Sequence, residues 1–171
     1  MHHRTPEFEA IFEKTRKYLF DLFKSDEVIM LASSGTGAME AAVINLCHST
    51  LLNVNSGKFG ERFGKIAVAH GLGSIEIKNE WDTPVSVEEV VALIKSDSNI
   101  DAIAIQVSES AGGLRHPVEE IAKAVKEINP NIMIIADGIT AVGVEEIDVS
   151  NIDCLIAVSY THLTLPTKRI V

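Results

Sequence analysis

Short apolar segments rich in valine and isoleucine alternate with longer amphipathic segments along most of this chain. Short apolar runs predict buried strands, whereas apolar residues spaced three and four apart predict helices. The predicted strands are residues 28–32, 51–54, 74–77, 102–107, 132–136 and 154–158. The predicted helices are residues 7–23, 37–47, 58–70, 87–95 and 118–128.

Several predicted strands, such as "DAIAIQV" and "IMIIAD", are apolar on both alternating faces. A strand of this kind is typical of a parallel sheet that helices cover on both sides. Ser86 stands where it would cap one helix, and Pro117 at the first position of another. The pattern predicts an α/β fold, a three-layer sandwich with a mostly parallel sheet, in one domain over residues 1–158.

Composition narrows the class of protein further. The chain has 171 residues, 46% of them hydrophobic, which is enough for a domain with a sizeable core. Its apolar runs are shorter than the roughly 18 residues that a membrane helix needs, so no membrane association is expected. Cys47 and Cys154 are far apart, which favours a cytoplasmic protein over a disulfide framework or a zinc site. A net charge of -9 with scattered basic residues argues against a nucleic-acid partner.

Ligands of parallel α/β sheets bind beyond the carboxyl ends of the strands, so the residues that follow each predicted strand are the candidates for a binding site. The first such segment, "SSGTGAMEAA", leads through Ser34, Gly35 and Thr36 into an alanine-rich helix. Free N–H groups at a helix N-terminus suit a phosphate or carboxylate, although a plain glycine turn with Ser and Thr caps explains the same residues. The segment matches neither the dinucleotide nor the nucleoside-triphosphate glycine motif.

Three further segments carry candidate residues. Phe59, in "NSGKFGERF", either lies against a flat ligand or fills the core. Ser110, in "SESAGGLRHP", belongs either to a ligand-contacting edge or to a plain connection. Asp137, in "DGITAVG", ends an apolar strand and either binds a cation of the ligand or caps the turn that follows.

The order and spacing of these segments resemble the class V aminotransferases of fold type I, nearest to the alanine:glyoxylate and serine:pyruvate aminotransferase group. The resemblance extends from His3 to Val158. The resemblance implies that the cofactor is pyridoxal 5'-phosphate and that particular residues contact each part of this cofactor. The residues that match are Ser34, Gly35 and Thr36 for the phosphate, Phe59 and Ile139 for the two faces of the ring, Ser110 for the ring substituents and Asp137 for the pyridinium nitrogen.

The resemblance also implies an activity, the transfer of an amino group between a small amino acid and a 2-oxo acid by a homodimer. Two alternatives use the same fold: a non-catalytic subunit, and another class V enzyme such as a cysteine desulfurase. Cysteine desulfurases tend to have a histidine where Phe59 stands, which argues against the second. A flavodoxin-like or dinucleotide-binding module would not explain Asp137, Phe59 and Ser110 together.

The lysine that binds the cofactor covalently in this family falls at Thr161 by register, and Lys168 lies beyond it. The match also ends abruptly near Tyr160, so residues 159–171 are interpreted as a non-native tail. A true relative that lacks the lysine is the alternative. Arg62 and Arg115 are poor substitutes for the substrate-binding arginine of the family's small domain. We therefore expect this chain to be an incomplete large domain without activity of its own.

Overall fold

The computed structural model describes residues 2–159. The chain divides between Ala32 and Ser33 into two compact units, each of which is described by itself. Among residues 2–159, none of the helices is both long and apolar enough to cross a membrane.

The first unit contains one helix, α1 (Pro6–Phe23). The Thr5 hydroxyl caps it by accepting a hydrogen bond from the N–H of Phe8, and Pro6 suits a position whose N–H has no helical acceptor. Lys24 ends the helix in the left-handed conformation, with φ of 51°. The side chains of α1 are half-buried or exposed, including the apolar Tyr18.

The strand predicted at residues 28–32 is wrong. The segment pairs with no strand within the described part of the chain, and Ile29, Met30 and Leu31 are exposed. A strand is defined by hydrogen bonds to a neighbour, and an apolar run cannot supply that neighbour. The prediction failed because pairing is a tertiary property.

The second unit is built from strands that alternate with helices, as predicted. Its strands are β1 (Thr50–Asn55), β2 (Gly73–Lys78), β3 (Ile100–Gln106), β4 (Ser108–Glu109), β5 (Leu114–Arg115), β6 (Met133–Asp137) and β7 (Cys154–Ile156). Its helices are α2 (Gly35–Leu46), α3 (Lys58–Ala69), α4 (Val87–Ser96) and α5 (Val118–Ile128). Each predicted element other than residues 28–32 agrees with these bounds to within two residues at either end. Ser86 caps α4 as predicted, whereas Pro117 is the cap of α5 and not its first residue.

Five strands form one sheet in the order β2-β1-β3-β6-β7, and all neighbours are parallel. The strands β4 and β5 form a separate antiparallel hairpin within the segment "SESAGGLRHP", which carries Ser110. The mostly parallel sheet is therefore confirmed.

Helices cover both faces of this sheet, which makes three layers. Leu51 and Ala104 point to the face covered by α2 and α3, where Phe63 is fully buried. The next residues, Leu52 and Ile105, point to the opposite face, which α4 and α5 cover. This alternation follows from the two-residue period of a strand. Burying each large apolar side chain stabilises the fold by about 1.5–3 kcal/mol, so both faces of the central strands contribute.

Candidate functional site

The carboxyl ends of β3 and β6 lie side by side, with Gln106 in register with Asp137. A cavity of about 240 Å³ opens at this edge. All seven residues predicted for the site line it: Ser34, Gly35, Thr36, Phe59, Ser110, Asp137 and Ile139. Five residues that the sequence analysis did not assign to the site also line it: Met39, Arg62, Gln106, Ser108 and Thr140.

One wall of the cavity is the N-terminus of α2. The Ser34 hydroxyl is the cap and accepts a hydrogen bond from the N–H of Gly37 at 3.3 Å. The N–H groups of Gly35 and Thr36 have no helical acceptor, and the positive end of the helix dipole lies here. A side chain at residue 35 would meet Ile139, since an added Cβ would lie 2.6 Å from the Ile139 Cδ1. Ser34 is thus an ordinary helix cap, which agrees with the alternative of a plain glycine turn. Its position at the helix N-terminus also suits an anion.

Phe59 lies in the first turn of α3, and its half-buried ring lines the cavity. The cap of α3 is Gly57, which has no side chain that could accept hydrogen bonds from the free N–H groups of the first turn. The buried carboxylate of Glu109 does so instead, because its Oε2 accepts hydrogen bonds from Phe59 and Gly60 at 3.2 Å each. Its Oε1 accepts another from the N–H of Ala111 at 3.1 Å. Glu109 therefore ties the start of α3 to the loop that carries Ser110.

Arg62 follows Phe59 by three residues on α3, so both side chains lie on one face of the helix. The Nη1 of Arg62 donates a hydrogen bond to the Thr36 hydroxyl oxygen at 2.6 Å. The guanidinium carbon lies 5.0 Å from the centroid of the Phe59 ring, within the range of a cation–π contact. Arg62 thus links two predicted site residues. The three-residue spacing was the signal in the sequence that could have identified it.

Asp137 is the last residue of β6 and is only 4% exposed. Its Oδ1 accepts a hydrogen bond from the N–H of Ile139 at 3.0 Å. Burial raises the pKa of Asp137 to about 6, and the charge of Glu109 acts in the same direction. The Ile139 hydrogen bond and the charge of Arg62 oppose this rise in pKa. A buried carboxylate that is ionised at neutral pH favours a cationic partner in the cavity.

The amide of Gln106 lies beside Asp137 and lines the same cavity. Gln106 also lowers the pKa of Asp137, although no hydrogen bond of normal geometry joins the two side chains. Both polar atoms of its amide are buried without a partner among the described residues. Since a buried polar group without a partner is costly, this amide is available to a polar ligand.

The β4–β5 hairpin carries the two serines at the cavity. Ser110 is exposed at the tip, whereas Ser108 is held in place. The Thr140 hydroxyl donates to the Ser108 carbonyl at 2.6 Å, and the Ser108 hydroxyl donates to Glu145 at 3.2 Å. The Nε of Arg115 donates to the same Glu145 carboxylate at 2.6 Å. Arg115 therefore supports the hairpin and does not line the cavity.

The parallel sheet and its flanking helices match the large domain of a fold type I aminotransferase. Residues 1–166 match the family model for the class V aminotransferases, and the chain belongs to this family. The predicted resemblance and fold class are both confirmed.

Several relatives of this chain are named as aminotransferases. It is 54% identical over 165 residues to an uncharacterised aminotransferase of Helicobacter pylori, covering 96% of this chain and 45% of the relative. It is 27% identical to a serine–glyoxylate aminotransferase of Methylorubrum extorquens, covering 96% of this chain and 43% of the relative. The crystal structure of an aspartate aminotransferase of subgroup IV from Thermus thermophilus superposes with a TM-score of 0.84 at 31% identity, covering 93% and 46% of the two chains. The chain thus spans about half the length of the relatives that it matches.

Proposed function

We propose that this chain binds pyridoxal 5'-phosphate and forms the cofactor-binding part of an enzyme that transfers an amino group between a small amino acid and a 2-oxo acid. One observation carries the proposal: a helix N-terminus suited to an anion and the buried carboxylate of Asp137 line a single cavity. The cofactor presents the complementary groups, a phosphate and a ring nitrogen that can hold a proton.

The residues that line the cavity fit each part of this cofactor. The N–H groups of Gly35 and Thr36, with the Ser34 hydroxyl, would hold the phosphate. Phe59 and Ile139 would contact the faces of the ring, and Ser110 its substituents. The amide of Gln106 adds a polar group beside Asp137 that residues 2–159 leave without a hydrogen-bond partner.

When bound, the cofactor supplies an electron sink for the negative charge that develops at the α-carbon of the amino acid. Asp137 would keep a proton on the ring nitrogen by accepting its hydrogen bond. A hydrogen bond to a charged group contributes about 1.5–3 kcal/mol. The pairing would also restore a counter-charge to a carboxylate that burial has made unfavourable.

The amino acid and 2-oxo acid substrates and the homodimer remain part of the proposal. The serine–glyoxylate aminotransferase among the relatives supports a small amino acid as donor. The proposed position of the covalent lysine, Thr161, lies outside the described residues, as do all residues of the tail after Ser159. That this chain alone lacks activity stays a prediction.

Titration of the purified chain with pyridoxal 5'-phosphate, followed by cofactor fluorescence and equilibrium dialysis, tests the proposal. We expect saturable binding that Asp137→Ala weakens at least about tenfold, equivalent to about 1.4 kcal/mol. Asp148→Asn is the matched control, because Asp148 is an exposed carboxylate whose hydrogen bonds are to Ser150. Binding that is absent, or that Asp137→Ala leaves unchanged, would overturn the proposed site.

A further inference from the structure

We infer that Arg62 is a positioning residue that forces the Thr36 hydroxyl to donate its proton to the phosphate of the bound cofactor. This inference rests on the proposed function and names a residue that acts through the predicted phosphate turn. Its basis is the contact of 2.6 Å between the Arg62 Nη1 and the Thr36 Oγ1.

The direction of this hydrogen bond is set by chemistry. A guanidinium has five N–H donors, no acceptor and a permanent positive charge, so the Thr36 oxygen must accept. The hydroxyl has a single proton, which is then left for another acceptor. A threonine inside a helix often donates to a carbonyl of the preceding turn. Thr36 is the second residue of α2, so no preceding helical turn offers that carbonyl.

The Thr36 side chain lines the cavity beside the N–H groups at the start of α2. An anion held by those N–H groups is therefore the nearest class of acceptor for the hydroxyl proton. Donation from Arg62 polarises the hydroxyl and strengthens its own donation to the anion, because hydrogen bonds in a chain reinforce one another.

The charge of Arg62 adds to this effect. Within residues 2–159, no carboxylate lies within the 4.0 Å of its guanidinium that would make an ion pair. The guanidinium instead lies over the Phe59 ring and also lines the cavity. A cation that protein carboxylates leave unpaired raises the affinity of the cavity for an anion, most of all for a phosphate with about two negative charges.

A comparison of two probes separates this role from a structural one. Pyridoxal 5'-phosphate and pyridoxal share the ring, and only the first has the phosphate. We expect Arg62→Met to weaken binding of pyridoxal 5'-phosphate at least about tenfold and to change binding of pyridoxal less than about threefold. The matched control is Lys65→Met, which removes an exposed cation of the same helix that is paired with Glu61. It should change neither affinity.

The route through Thr36 is tested by a double-mutant cycle. Thr36→Val removes the hydroxyl but keeps the shape of the side chain, and Thr36→Ser restores the hydroxyl. If Arg62 acts through Thr36, the double variant loses clearly less affinity for pyridoxal 5'-phosphate than the sum of the two single losses, because only the direct contribution of the Arg62 charge remains to be lost once the hydroxyl is gone. Thr36→Ser should keep the preference for the phosphorylated probe.

Each other outcome has a definite meaning. Equal losses for both probes in Arg62→Met would show that Arg62 only supports Phe59 and the fold, which overturns the inference. Fully additive losses would show that Arg62 acts on the phosphate without Thr36, which also overturns it. Should Arg62→Met fail to fold, Thr36→Val decides alone, since an unchanged preference for the phosphorylated probe contradicts the inference. If the wild-type chain binds neither probe, the proposed function itself fails.

Discussion

The carboxylate of Glu109 accepts a hydrogen bond from the backbone N–H of Phe59 at 3.2 Å, although the two residues lie 50 positions apart in the sequence. The same oxygen also accepts from Gly60. These two hydrogen bonds give acceptors to N–H groups in the first turn of α3, where a local cap is missing because Gly57 has no side chain. The residue proposed to lie against the cofactor ring is therefore positioned by a carboxylate from the neighbouring hairpin.

Removing this carboxylate should destabilise the chain. We expect Glu109→Ala to lower the free energy of unfolding by about 1–3 kcal/mol, because it leaves buried N–H groups without an acceptor. Glu109→Gln, which keeps one carbonyl oxygen, should cost less. Denaturant unfolding measures both. Glu61→Gln is the control, since Glu61 forms surface ion pairs with Lys58 and Lys65 that contribute little. A wild-type midpoint for Glu109→Ala would contradict the capping role.

Gly60 should tolerate no side chain. A Cβ at Gly60 would lie 2.6 Å from the backbone oxygen of Val54, which the parallel sheet holds in place. We expect Gly60→Ala to cost about 1–3 kcal/mol of stability and to weaken cofactor binding, because α3 must move away from β1 with Phe59 and Arg62.

Gly35→Ala is the natural comparison for Gly60→Ala. Its added Cβ would also come to 2.6 Å from another atom, but that atom is the Cδ1 of the Ile139 side chain, which can rotate away. The loss measured by denaturant unfolding should therefore be smaller than for Gly60→Ala. The reverse order would show that backbone contact does not determine the cost.

Asp137 should make the cofactor-free chain less stable as the pH rises. Its pKa in the folded state is about 6, above its usual 3.8, so the folded state binds the proton more tightly than the unfolded state. The stability that this group contributes is present below pH 3.8 and is lost as the pH rises to about 6. The loss is about 3 kcal/mol, at about 1.4 kcal/mol for each pKa unit.

Asp137→Asn tests this sign, since the amide oxygen can still accept from Ile139 and carries no charge. We expect the variant to be more stable than the wild type at pH 7.5 without cofactor, while it binds pyridoxal 5'-phosphate more weakly. Chemical unfolding at a series of pH values checks the first part. Asp148→Asn should not raise stability, because hydrogen bonds from Ser150 lower the pKa of Asp148. A less stable Asp137→Asn at pH 7.5 would contradict the prediction.

His116 should have the opposite dependence on pH. It is fully buried, its Nδ1 accepts from the N–H of Val85 at 3.2 Å, and burial lowers its pKa from 6.5 to about 4. The stability it contributes is complete above pH 6.5 and is lost as the pH falls to about 4. Asp137 and His116 therefore oppose each other over much of this range.

Two variants separate these contributions. In Asp137→Asn the stability should fall more steeply on acidification than in the wild type, because the His116 contribution is no longer offset. In His116→Asn, whose side-chain oxygen replaces the Nδ1 acceptor, the fall should be shallower. Parallel slopes in all three proteins would show that neither group determines the pH dependence.

Most helices and strands of the second unit were predictable from the sequence, because the apolar pattern of each element reflects how it is buried and its caps are local residues. A strand buried on both faces, such as β3, is apolar throughout, and α4 carries its own Ser86 cap. Phe59, Ser110 and Asp137 follow or end strands, and the carboxyl ends of parallel strands meet at one edge of the sheet. Ser34, Gly35 and Thr36 follow a segment that is not a strand, so their assignment, like that of Ile139, depended on the resemblance to the family. All seven line one cavity, while their contacts with the cofactor stay predictions.

Other features depended on neighbours that are distant in the sequence. Residues 28–32 have the composition of a strand but no pairing partner among the described residues, so the strand predicted from their apolar pattern is wrong. Arg62 resembles any surface cation of an amphipathic helix until α2 places the Thr36 hydroxyl against it. Glu109 resembles a polar loop residue until the hairpin buries it under α3.

The sequence by itself determined most of the helices and strands, the candidate residues at their ends, and the family that the order of those residues resembles. Local propensity and burial pattern encode these properties within a few residues. The tertiary structure alone decided that Glu109 caps α3, that Arg62 donates to Thr36, and that Asp137 has a raised pKa. These properties arise from distances between side chains on different elements, and such distances depend on how the helices pack on the sheet.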